Sequence, residues 1–169
     1  MQDYFKNIPE IQFEGENSDN PLAFKFYDEN KTILGKSMKE HFRFATCYWH
    51  TFTWPGLDPF GGQTFERPWM SKGDPIKMAE QKLNCAFDFF TKIKTPFFCF
   101  HDRDIAPEGS NYKETQKNFM HIIDLMENKI EETGMKLLWG TANAFSHKRY
   151  MSGASTNPDP EVFAYKAAQ

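Results

Sequence analysis

The run Phe97-Phe-Cys-Phe100 is apolar at every position, follows Pro96, and ends abruptly in His101-Asp-Arg-Asp104. A strand that is apolar throughout, rather than at alternate residues, has both faces covered, as in a parallel sheet flanked by helices. Pro96 stops any helix arriving from its N-terminal side, so the run is an element of its own. In parallel sheets and barrels, polar residues at the C-terminal mouth of a buried strand are where chemistry concentrates. His101 and Asp104 are therefore the first candidates for an active-site pair.

The flanking segments alternate between the two periods. Phe42 to Phe52 crowds Phe, Ala, Thr, Cys, Tyr and Trp without helical spacing and reads as the first strand. Trp54 to Gly62 is dense in Pro and Gly and must be irregular, yet it carries Trp54 and Phe60, which need a surface from the chain's own core or from another subunit. Asp74 as N-cap and Pro75 at the first helical position open a helix with Ala79, Leu83, Ala86, Phe87, Phe90 and Ile93 on one face. After the strand at 97–100 comes a loop bearing His101 and Asp104. Asn111 and Glu114 then have the N-cap and N3 spacing of a second helix, with Phe119, Ile122, Ile123, Met126 and Ile130 recurring every three or four residues and Gly134 just past its end. Lys136 to Trp139 is a third strand, leading into a loop, Gly140 to Phe145. Asn157-Pro-Asp-Pro-Glu161 opens a last helix that has no stop signal before Gln169. Strand and helix in strict alternation mean right-handed crossovers and a parallel sheet. Three strands leave two edges that are normally paired or covered. The expected fold is thus α/β, the opening portion of a (β/α)8 barrel, an architecture of roughly 250 residues. Residues 1–40, polar with a turn cluster at Ser18-Asp-Asn-Pro21, are expected to form an N-terminal arm packed on the barrel. Residues 41–169 are expected to supply roughly its first three β/α units, ending within a helix.

Composition removes other classes. The chain has 169 residues, 40% hydrophobic and 17% aromatic, with eighteen Phe, which is too apolar for a disordered segment. A net charge of -3 without a basic cluster longer than Lys148-Arg149 predicts neither a nucleic-acid nor a membrane-surface partner. Cys47, Cys85 and Cys99 lack CxxC spacing and fall in apolar segments, as reduced thiols of a cytoplasmic protein do. The stretch from Met1 to Lys6 has no leader pattern, and no P-loop, GxGxxG, GxSxG or HExxH occurs.

Each candidate also has a plainer reading. Asp104 can orient the His101 ring by accepting from one nitrogen, leaving the other for substrate, or it can simply cap the next turn. Asp102 and Arg103 read as a solvent-exposed pair. Trp49, Trp139 and Phe145 lie at or just past strand C-termini and could offer apolar faces to sugar C–H groups, although large aromatics are often ordinary core. His50 reads as a packed histidine on the strand face opposite Trp49. His41, His121 and His147 show no metal-ligand spacing, Glu131-Glu132 reads as a solvated helix face, and Glu66-Arg67 as a loop ion pair of little weight.

Taken together, Asn20-Pro-Leu-Ala-Phe24, Ala45-Thr-Cys-Tyr-Trp-His50, Asp58-Pro-Phe-Gly61, Phe98-Cys-Phe-His-Asp102 with Asp104, Lys136-Leu-Leu-Trp-Gly-Thr-Ala-Asn143 and Thr156-Asn-Pro-Asp-Pro-Glu-Val-Phe163 resemble the N-terminal part of the xylose isomerases, of the long type with an N-terminal extension. The resemblance implies a TIM barrel, a cytoplasmic homotetramer, and interconversion of D-xylose with D-xylulose, and of D-glucose with D-fructose. It implies two divalent cations, Mg²⁺, Mn²⁺ or Co²⁺, that polarise the sugar oxygens during a hydride shift from C2 to C1. By the same resemblance His101 opens the cyclic sugar and Asp104 orients it. Trp49, Trp139, Thr141 and Phe145 line the sugar pocket, and Phe60 enters a neighbouring subunit's site. The metal ligands and a catalytic lysine are expected from later strands, beyond residue 169, so no residue here takes a metal role and the segment alone should be inactive. Two rivals remain: a catalytically silent truncated fragment or assembly module, and an isomerase-like barrel performing metal-dependent epimerisation or phosphodiester hydrolysis.

Overall fold

The computed structural model describes residues 4–70 and 73–169. Residues 1–3, the start of the stretch read for a leader pattern, and residues 71–72 lie outside them. The elements, in chain order, are β1 (Thr32–Ile33), β2 (Lys36–Ser37), α1 (Met38–His41), β3 (Ala45–Cys47), α2 (Pro75–Ile93), β4 (Phe97–His101), α3 (Asp102–Ile105), α4 (Tyr112–Thr133), β5 (Lys136–Thr141) and α5 (Pro160–Ala168). β1 and β2 form a small antiparallel ladder. β3, β4 and β5 form a parallel sheet in that order, so each crossover carries a helix, α2 and then α4.

Local chemistry sets the helix limits. Asp74 accepts from the Ile76 amide and Pro75 begins α2. Asn111 accepts from the Glu114 amide at the start of α4, and Gly134, at φ 70°, ends it. α2 ends on Lys94 in the left-handed region, φ 55°, a conformation costly for a residue with a Cβ. Its amine reaches Glu29 at 3.1 Å and Gln12 at 3.1 Å. Ile11 N–H donates to the Lys92 carbonyl at 2.7 Å, so residues of the N-terminal stretch lie along the end of α2.

The core lies between α2, α4 and the helix-facing side of the sheet. Leu83, Ala86, Phe87 and Phe90 of α2 are buried with Phe98 and Phe100 of β4 and with Ile122 and Met126 of α4. Phe98 stacks on Phe90 at 5.5 Å and meets Phe87 edge-on at 5.2 Å. Alternation along β4 sends Phe98 and Phe100 toward the helices and Phe97, Cys99 and His101 to the other face.

Three expectations change. The first strand is only Ala45–Cys47, because residues 49–53 wind into a wide π-type turn closed by Trp54 N–H to Trp49 O, and Trp54, preceding Pro55, is held extended. His50 is therefore outside any strand, and it is exposed rather than packed. The third strand runs on through Gly140 to Thr141, which pairs with His101 and is strand rather than loop.

Candidate active site

β4 delivers His101 to the C-terminal edge of the sheet, and the chain turns at once into the single helical turn α3. Asp104, third residue of that turn, reaches back so that its Oδ2 accepts both the His101 backbone N–H at 2.8 Å and Nδ1–H at 2.9 Å. The side chains are 14% and 6% exposed. A buried carboxylate against Nδ1 fixes the tautomer with its proton there, and Nε2 makes no hydrogen bond among the described residues. Asp104 thus caps the turn and contacts the imidazole through the same oxygen.

Three aromatics surround the imidazole. Its centroid lies 4.7 Å from Trp49, 5.7 Å from Trp139 and 5.2 Å from Phe145, and the two indoles are 5.4 Å apart. The π-type turn after β3 presents Trp49. In the register of β4 with β5, Trp139 stands opposite Cys99 and Thr141 opposite His101, so all four belong to the face turned away from the helices. Phe60 stands apart, 99% exposed on its Gly/Pro loop, where Asp58 accepts its amide at 2.7 Å.

Asp102 is not in solvent. It is 8% exposed and does pair with Arg103 at 2.9 Å, but it also accepts from the Asn143 amide at 2.7 Å and from Gln169 at 2.6 Å. Burial would raise its pKa, and these donors outweigh burial and hold it below the ordinary aspartate value. The carboxylate thereby ties α3 to the loop after β5 that carries Phe145. Arg67 forms no ion pair with Glu66 among the described residues; its guanidinium lies over Phe65 at 4.9 Å and Trp69 at 5.7 Å. His121 pairs with Glu80 at 2.7 Å, and His41 bonds the Ile33 carbonyl at 2.8 Å.

The three thiols are free, and burial pushes Cys47 up to about 11 and Cys85 up to about 12 and raises Cys99 as well, which favours the protonated thiol over the thiolate. Among the described residues no group of three His, Cys, Asp or Glu side chains could hold a metal ion, and no helix is long and apolar enough to cross a membrane. Reading the sequence alone also passed over Lys82. It stands three residues after Ala79 and four before Ala86, on the buried stripe of α2, and its Nζ donates to Thr53 Oγ1 at 3.4 Å. The signal was a charged residue where the apolar period asks for an apolar one.

No protein-family model matches the chain. Curated relatives do. A xylose isomerase of Photobacterium profundum is 62% identical over 169 residues, which is 100% of this chain and 38% of the relative. One of Paraburkholderia phytofirmans is 58% identical over 166 residues, 98% of this chain and 38% of the relative, and one of Pseudoalteromonas atlantica is 56% identical over 169 residues, again 38% of its length. The chain therefore spans well under half of the proteins it matches. At this level of identity the whole of the chain is similar to a part of the xylose isomerases, about 38% of their length.

Proposed function

We propose that these residues are the opening part of an aldose–ketose isomerase that interconverts D-xylose and D-xylulose, and D-glucose and D-fructose, by ring opening and a 1,2-hydride shift. One observation carries the reading: an imidazole with one nitrogen committed to a buried carboxylate and the other free, hemmed by three aromatic rings. Opening a cyclic hemiacetal requires removal of the anomeric hydroxyl proton and delivery of a proton to the ring oxygen. Nε2 of His101 accepts the first and returns it to the second, while Asp104 keeps the Nδ1 proton in place and favours the transient imidazolium. Trp49, Trp139 and Phe145 offer apolar faces to the sugar's C–H groups and limit water at the imidazole, and Thr141 offers a hydroxyl at the same strand level. Divalent cations, Mg²⁺, Mn²⁺ or Co²⁺, would polarise the sugar oxygens. Among the described residues no group of side chains fits such a cation, and no step here passes through it.

The three parallel strands are then the start of a TIM barrel, with residues 1–40 as an arm on its outside. The exposed Phe60 loop reaches a neighbouring subunit's pocket in a cytoplasmic homotetramer. The test uses the full-length protein. It should convert xylose to xylulose, lose that activity with a chelator and regain it with Mg²⁺. His101→Gln should lower kcat/KM for the cyclic sugar by roughly 10²- to 10⁴-fold. Unchanged turnover by the variant would remove His101 from the reaction.

A further inference from the structure

Phe145 is the least covered of the three rings around the imidazole, 68% exposed against 38% for Trp139, with Trp49 half-buried. It meets His101 edge-on, 5.2 Å away at 85°, and no other aromatic ring among the described residues. So exposed a side chain gains little from burial, and its placement falls to the backbone that carries it. That backbone is pinned by Asn143, which is 7% exposed. The Asn143 Oδ1 accepts the Phe145 amide at 3.2 Å, the Ser146 amide at 3.0 Å and the Ser146 hydroxyl at 2.9 Å, forming an Asx turn. Its own amide donates to Asp102 Oδ1 at 2.7 Å. Asp102 is in turn held by the Arg103 amide at 2.8 Å and the Arg103 guanidinium at 2.9 Å. The turn α3 therefore reaches the imidazole twice: directly, from Asp104 to Nδ1, and indirectly, from Asp102 through Asn143 to the ring of Phe145.

We propose that Asn143 is a positioning residue for the sugar: buttressed by Asp102, its side-chain oxygen fixes the loop after β5 so that Phe145 stands as a wall beside His101. This rests on the reading of His101 as the ring-opening base and of Phe145 as a face for the sugar. Asn143 touches neither sugar nor imidazole and acts through Phe145. A contact between an aromatic ring and sugar C–H groups is made by the bound substrate as much as by its transition state, so its loss belongs in KM rather than in kcat.

The test is a double-mutant cycle in the full-length, metal-loaded protein, read as kcat and KM for xylose. Asn143→Ala and Phe145→Ala should each raise KM by roughly 3- to 10-fold with kcat little changed. The double variant should lose no more than Phe145→Ala alone, because Asn143 then has nothing left to position. Asn143→Asp, which keeps an acceptor for the turn, should hold KM near wild type. An unmoved KM in Asn143→Ala, losses that multiply in the double variant, or a KM raised in Asn143→Asp as far as in Asn143→Ala overturns the proposal. Should Asn143→Ala fail to fold, Ser146→Ala removes one of the three donors; a smaller rise in KM that vanishes in the Phe145→Ala background is expected, and an unmoved KM overturns the proposal. Wild-type KM in Phe145→Ala would instead remove the reading of Phe145 as a pocket wall, and this role with it.

Discussion

One oxygen of Asp104 serves two donors, and they make different demands on it. Closing α3 by accepting the His101 amide needs only an acceptor, which an amide oxygen also provides. Holding Nδ1–H opposite a charge that grows on the imidazole needs an anion. Asp104→Asn separates the two. As an orienter, it should cut kcat/KM by roughly 10²-fold with a small change in the unfolding midpoint, measured by steady-state kinetics beside thermal melts. Were capping its whole role, the amide oxygen would serve as well, and both the kinetics and the unfolding midpoint would stay near wild type. The His101 and Asp104 spacing was legible in sequence because both bonds are local, closed within one turn. Asp102 and Lys82 were not, because their partners Asn143, Gln169 and Thr53 are brought to them by the fold from 29 to 67 residues away.

The helices were legible for the same reason of locality: Asp74, Pro75, Asn111 and Gly134 act within one turn of where they stand. Gly134 is the clearest case. It ends α4 at φ 70°, its amide bonding the Ile130 carbonyl at 2.8 Å, and an added Cβ would meet nothing within 4 Å. The cost of Gly134→Ala is therefore conformational strain rather than a clash, about 1 kcal/mol. A lower denaturant midpoint with unchanged kcat/KM is the expected result, and a variant as stable as wild type would refute the assignment. The strand over 42–52 was misjudged because aromatic and β-branched content does not by itself choose between a strand and a tight turn. Pro55 was the local clue that extended backbone is required at Trp54 and that the turn before it must close there. α3, a single turn of four residues, is too short for any period to show.

At the scale of the molecule the sheet is unbalanced. One face packs on α2 and α4, whereas β5 is exposed along its whole length, with Leu137 44%, Leu138 52% and Trp139 38% open. β3 and β5 each leave one edge unpaired among the described residues. A recess of about 490 Å³ beside β5, with Phe100, Phe119, Leu137 and Gly140 in its walls, is mostly apolar and lies outside the His101 cluster. Apolar strands with open edges recruit whatever chain is at hand, so in the proposed barrel further strands must cover them. Residues 1–169 produced alone should accordingly bind a hydrophobic dye such as ANS, associate as concentration rises, and isomerise no sugar. Co-expression with the rest of the full-length protein should remove the dye binding and restore turnover. A monomeric segment that unfolds cooperatively and leaves the dye dark would mean that this three-stranded sheet is complete without partners, and the barrel reading would fail on that measurement.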